Sequence, residues 1–241
     1  MATFTIKPPA DVRTNDTGVV KSKIAGGRIP FGAAVIRAGA GTVKAGILED
    51  AGSMLVQGFV LEDEVEHTYP GFYESGEMVP MAIGGTVNAL ICDVGGGNLV
   101  AGDLLELADI TSSTNTGELG VLCEAGGSSN AGETRTPNVC ARLLEDLTMG
   151  SDTYKAPAST PTAGETTISM MAGDMALMGL HVGDWILIRD SDKNGLAGQM
   201  NRITAMSDDG STATMTVLIP ITVAAADYIH AVRQAEVAII L

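Results

Sequence analysis

The stretch Gly183-Asp184-Trp185-Ile186-Leu187-Ile188 decides the fold class. Glycine permits the positive φ of a tight turn, the following acid can accept hydrogen bonds from turn amides, and apolar residues then leave the turn as a strand. The same order stands at Gly102-Asp103-Leu104-Leu105-Glu106-Leu107, and Gly76-Glu77-Met78-Val79-Pro80 is a near match. This is turn chemistry shared by many small barrels, and it does not mark an active site.

Outward from these turns the chain reads as short strands separated by glycine. The pattern predicts strands at 33–37, 54–61, 78–83, 86–92, 104–108, 120–124 and 138–144, in the rhythm of a barrel or sandwich. Further strands are predicted at 185–189, 200–206, 212–219 and 237–241, with a short helical turn at 224–230. With 30 glycines in 241 residues, few helices of three turns would survive. Met170, Met171, Met175 and Met178 cluster before the first of these later strands and read as core filling. Leu-Glu-Asp recurs at 48–50, 61–63 and 144–146, and residues 45–53 echo 119–128, as related strand ends would.

Residues 1–27 lack an amphipathic period and contain Pro8, Pro9, Gly18, Gly26 and Gly27, so they read as an extended arm with one short strand at 18–24. Residues 148–164, with Pro157 and Pro161 among serines and threonines, read as a linker. The expected fold is all-β: an N-terminal extended arm (1–27), a β-barrel domain (28–147), the linker, and a second small β-barrel domain (165–241).

Charge is segregated along the chain. Lys7, Arg13, Lys21, Lys23, Arg28, Arg37 and Lys44 face only Asp11 and Asp16 in residues 1–44, a net of +5. The remaining residues carry 7 basic and 27 acidic side chains, a net of −20, and 45–134 contain no Lys or Arg. A basic leading segment on an acidic body is electrostatically self-complementary between copies. The overall charge of −15 disfavours nucleic acid as a partner, because most of the surface would repel a polyanion. The expected partner-binding residues are Lys7, Arg13, Lys21, Lys23 and Arg28.

Other motifs carry little chemistry. Cys92, Cys123 and Cys140 form no CxxC pair and read as free, buried thiols in a reducing compartment. Asp190-Ser191-Asp192-Lys193-Asn194-Gly195 begins like a calcium loop, which makes Asp190, Asp192 and Asn194 a weak metal candidate. Its twelfth position is Asn201 where a bidentate Glu is wanted, and its flanks read as strands. His67, His181 and His230 are far apart, without the spacing of a zinc site. Gly84-Gly85 and Gly95-Gly96-Gly97 lack the Lys-Ser/Thr of a phosphate loop, and no G-x-S-x-G elbow is present. No catalytic residue, enzymatic activity or cofactor is expected. The first residues show no apolar signal region and no apolar run approaches a membrane span, so synthesis in a host cytoplasm without membrane association is expected.

From Arg28-Ile29-Pro30-Phe31-Gly32 through Gly58-Phe59-Val60, Tyr73-Glu74-Ser75-Gly76-Glu77-Met78-Val79-Pro80 and Ala101-Gly102-Asp103-Leu104 to Val139-Cys140-Ala141-Arg142-Leu143-Leu144-Glu145-Asp146, the chain resembles the capsid decoration (cement) proteins of tailed, bacteriophage-like viruses. The resemblance covers about half of the chain and rests mostly on turn chemistry. It implies a structural virion protein on the capsid surface that stabilises the shell by binding the major capsid protein between capsomers. It also implies a homo-oligomer, often a homotrimer, and no catalysis. Residues 165–241 depart from the family's usual size. The alternatives are another virion component, a tail or head-fibre protein, or a carbohydrate-binding module. The last is disfavoured by one Trp and four Tyr as stacking platforms.

Overall fold

The structure is a computed structural model describing residues 20–46, 55–63, 67–92, 98–108, 120–125, 139–148, 154–159, 162, 164–189, 199–220 and 228–241. Along these the chain runs β1 (Val20–Ala25), β2 (Ile29–Pro30), β3 (Ala34–Gly39), β4 (Thr42–Ala45), β5 (Val56–Val60), β6 (Phe72–Tyr73), β7 (Met78–Ala82) and β8 (Thr86–Ile91). Next come β9 (Leu104–Leu107), β10 (Leu122–Glu124), β11 (Val139–Leu143), β12 (Tyr154–Lys155) and β13 (Thr167–Met171). A single helical turn, α1 (Asp174–Leu177), precedes β14 (Trp185–Arg189), β15 (Gln199–Asp208), β16 (Thr212–Val217) and β17 (Tyr228–Ile239).

The protein is all-β and contains two closed five-stranded barrels. The first closes in the order β1-β4-β3-β5-β7, with β7 pairing back onto β1. The second joins β8, β10, β9, β11 and β17, and closes because β17 pairs with both β8 and β11. A five-stranded barrel has a narrow bore, and mostly small side chains fill the first: Ala25, Val35, Val43, Val60 and Val79. The outer face of its wall is also buried. Ala34, Ile36, Phe59 and Ala82 share a core with Val87, Ile91, Leu105, Leu122 and Val237 of the second barrel. Strands covered on both sides read as continuous apolar runs, as Ala33–Ile36 does.

Strand β17 is the spine of the molecule. Its 12 residues extend about 40 Å at ~3.3 Å each. Its leading half pairs with β14, opening a sheet that continues through β15 and β16 to β13, while its trailing half completes the second barrel. Trp185 of β14, the bulkiest fully buried side chain, meets Phe72 edge-on at 5.0 Å and joins this sheet to the core of the first barrel.

The glycine–acid turns form as their residues require. Gly102 and Gly183 adopt φ of 104° and 97°. The Val100 N–H donates to Asp103 Oδ2 at 2.8 Å, and the His181 N–H to Asp184 Oδ2 at 2.8 Å. In return the Asp103 and Asp184 N–H groups donate to the carbonyls of Val100 and His181, both at 3.1 Å. Glu77 repeats the device on Glu74, donating to its carbonyl at 3.1 Å and accepting its N–H at 2.7 Å. A fourth example, Glu165 on Thr162 with bonds of 3.0 and 3.1 Å, lies at the end of the expected linker and was not read from the sequence.

The structure departs from the sequence reading in several places. Residues 20–27 are not a free arm: β1 pairs with both β4 and β7 and is a wall of the first barrel. Residues 28–147 do not form one barrel. Their strands divide between two, and the second needs β17 from the 165–241 segment. The linker contributes β12, which pairs with β17. Over the described part of 224–230 the chain is strand rather than helical turn, because Tyr228–Val232 gains a full ladder with β14, which overrides local alanine preference. Met170, Met175 and Met178 are buried together as expected, whereas Met171 is exposed. Two of the Leu-Glu-Asp runs directly follow β5 and β11, and the third lies outside the described residues.

Candidate partner-binding surface

The expected partner-binding cations separate into three groups. Lys7 and Arg13 lie outside the described residues. Arg28 is held beside the two-stranded β2–β6 sheet: its Nε donates to Glu74 Oε1 at 2.7 Å, and its guanidinium lies 4.7 Å from the centre of the Tyr69 ring. A half-buried, bidirectionally held arginine of this kind serves the fold and is not available to a partner. Lys21 and Lys23 remain, both on β1.

The register of the first barrel explains what Lys23 does. Ala25 pairs with Val43, Val43 with Arg37, and Lys23 with Val79. Ala25, Val43 and Val79 point into the bore and are buried. Strand periodicity of two then puts Lys23 on the inward face one layer above Ala25, and Arg37 one layer above Val35. The two cations crown the open mouth of the barrel. They line a cleft of about 220 Å³ together with Gly39, Gly41, Thr42 and Gln57. No Asp or Glu lines this cleft, and among the described residues neither cation makes an ion pair. Arg37 donates its Nε to the Gly39 carbonyl at 3.3 Å, and among the described residues its terminal amino groups make no hydrogen bond. Arg37 was read as part of the basic segment but not as a site residue, because its approach to Lys23 depends on the parallel pairing of β1 with β4.

The outer face of β1 is apolar. Ile24 and Met78 are cross-strand partners and both are exposed, as is Val20. Basic mouth and apolar flank thus share the strand through which the N-terminal segment enters.

His67 is the centre of the densest titratable cluster among the described residues. Its Nε2 lies 2.7 Å from Asp63 Oδ1 and its Nδ1 3.1 Å from Glu77 Oε2, while its ring packs edge-on to Tyr73 at 4.6 Å. The Tyr73 hydroxyl donates to the Leu61 carbonyl at 2.8 Å, and burial pushes its pKa far up. With both imidazole nitrogens facing carboxylates, the ring has no nitrogen left to exchange a proton with a substrate. His181 is exposed beside Asp184, and His230 stacks on Tyr154 at 5.0 Å. The three histidines do not converge, and no metal-ligating group of side chains occurs among the described residues.

The calcium candidates Asp190, Asp192 and Asn194 lie outside the described residues. Their flanks, β14 and β15, form an antiparallel hairpin, as expected. Asn201 at the twelfth position is committed elsewhere: Nδ2 donates to the Ile219 carbonyl at 2.9 Å, and Oδ1 accepts the Ile219 N–H at 3.0 Å. Cys92, Cys123 and Cys140 form no disulfide and are buried, and burial, reinforced by the Glu106 charge, pushes the Cys140 thiol up to about 12. A second cleft, of about 510 Å³, opens between α1 and the β15–β16 hairpin, lined by Met175, Leu180 and Met206 with His181 and Asp208. No helix among the described residues is long and apolar enough to cross a membrane. No protein-family model matches the chain, and no curated protein matches it.

Proposed function

We propose that the chain is a structural virion protein, a capsid decoration protein that binds the major capsid protein between capsomers as a homo-oligomer. The observation that carries this reading is the character of β1. It joins exposed Val20 and Ile24 to Lys21 and Lys23 on one strand. An apolar strip flanked by cations suits attachment to an acidic, partly apolar protein surface, and many weak copies on one shell act together. That strand is a wall of the closed first barrel, whose β3, β5 and β7 pack on the second barrel.

The carbohydrate-binding alternative is disfavoured by the placement of the aromatics. Trp185, Tyr73, Phe72 and Phe59 are all fully buried, leaving Tyr154 as the most exposed ring among the described residues.

The test is cosedimentation with icosahedral particles lacking this protein. Full-length chain should bind at a fixed ratio to the major shell protein, deletion of residues 1–19 should weaken binding, and Lys21→Glu combined with Ile24→Asp on β1 should abolish it while both barrels stay folded. Deletion of 1–27 is not equivalent, since it removes β1 and opens the first barrel. Equal binding by full-length and 1–19-deleted protein would remove the arm from the reading. No binding by either would remove the shell.

A further inference from the structure

We propose that the mouth of the first barrel is a carboxylate-binding cleft, and that it receives the acidic tip of the β15–β16 hairpin from a second copy of this chain. The cleft has the chemistry of an anion site. Arg37 presents a planar fork, Lys23 a point charge, and Gln57 and Thr42 neutral hydrogen-bonding groups, with no carboxylate in the lining. About 220 Å³ accommodates one or two acidic side chains. Nucleic acid is the wrong partner, because the cations sit on a molecule of net charge −15.

Charge complementarity selects the second copy. Outside its first 44 residues the chain carries 27 carboxylates against 7 basic groups, so every neighbouring copy is a source of acid. A concave site needs a projecting donor of carboxylate, and the β15–β16 tip projects. Asp208 through Ser211 are all exposed. The tip is also preorganised. The Gly210 N–H donates to Asp208 Oδ1 at 2.8 Å, and the Thr212 N–H to Asp209 Oδ1 at 2.7 Å. Mouth and tip belong to different sheets, so the contact is heterologous, and repeating it gives a ring where its rotation closes and a filament where it does not.

The proposal rests on the oligomeric part of the reading above, and it is tested on purified protein so that its failure is separable from failure to bind particles. Sedimentation velocity at low and high salt would compare wild type, Arg37→Asp, Asp208→Arg, the double reversal, and Lys44→Gln as a control outside the cleft. Wild type should self-associate more tightly as salt falls. Each single reversal should weaken association at least about tenfold, corresponding to ~1.4 kcal/mol. The double reversal should restore it, and the control should match wild type. Circular dichroism would confirm that each variant is folded, as expected for solvent-facing sites. A wild type that is monomeric at all salts, or reversals without effect, would overturn the proposal. Loss with Arg37→Asp but not with Asp208→Arg would overturn the hairpin tip as occupant. A titration with inorganic phosphate that perturbs the mouth of a strictly monomeric protein would reassign the cleft to small anions.

Discussion

Asn201 holds the backbone of Ile219 from both sides, donating to its carbonyl and accepting its N–H at 2.9 and 3.0 Å, with the side chain fully buried. The amide thus replaces a strand neighbour where β16 ends and the chain turns away from β15. Asn201→Leu should destabilise the protein by roughly 2–6 kcal/mol, because it strands a buried donor and a buried acceptor at about 1–3 kcal/mol each. Asn201→Asp should cost at least as much at neutral pH, since it buries a carboxylate with one oxygen against the Ile219 carbonyl, and should ease at low pH where a carboxyl proton can replace the lost donor. Urea unfolding of the two variants beside wild type would check the order.

Gly120 clasps the two barrels together. Its carbonyl accepts the Ala34 N–H at 2.8 Å and its N–H donates to the Gly46 carbonyl at 2.9 Å. It adopts φ of 81°, and a Cβ there would lie 2.6 Å from the Ala33 Cβ and 2.7 Å from the Ala34 oxygen. Gly120→Ala should therefore cost more than ~3 kcal/mol by combining strained backbone with overpacking. Thermal melts should show a fall of several degrees or more, whereas Gly76→Ala, which meets open space, should pay for its backbone conformation alone.

Asp209 organises the β15–β16 turn, accepting the N–H groups of Thr212 and Ser211 at 2.7 and 3.1 Å. These bonds hold its carboxyl down to about 2 from an ordinary value of 3.8. The sign follows from linkage. A depressed folded value means that the turn's contribution is fully present above about pH 4 and is lost as pH falls through about 2. Carboxyl chemical shifts should place the Asp209 midpoint near that lower value, and a midpoint near 4 would contradict the bonding.

The three thiols should be silent in the folded protein. All are buried, and Cys140 is held protonated up to about pH 12 against an ordinary value of 9.0. A disulfide reagent at about pH 8 should react with none of them until denaturant is added, and then with all three, since the thiolate is the reactive form. For Cys140 the raised value favours the folded state below about pH 9, and that contribution is lost as pH rises toward about 12. Release of one thiol equivalent without denaturant would show that a barrel opens locally.

The residues that declared themselves in the sequence are those whose bonds close within four positions. Gly102-Asp103, Gly183-Asp184 and Gly76-Glu77 make their turns from neighbours alone, so spacing suffices to find them, and the strands they launch follow from alternation. The all-β class was legible for that reason. The partners of those strands were not. β8 pairs with β17 across most of the chain, and β17 serves two sheets, because burial on both faces selects among apolar strands that look alike one by one. The same holds for the basic surface. The sequence shows seven cations in its first 44 residues, but only the barrel register turns Lys23 and Arg37 into one cleft, and only the β2–β6 pairing locks Arg28 against Glu74. Local turn chemistry is encoded by adjacency, whereas convergence of charge is encoded by long-range pairing, which exists only once the barrel has closed.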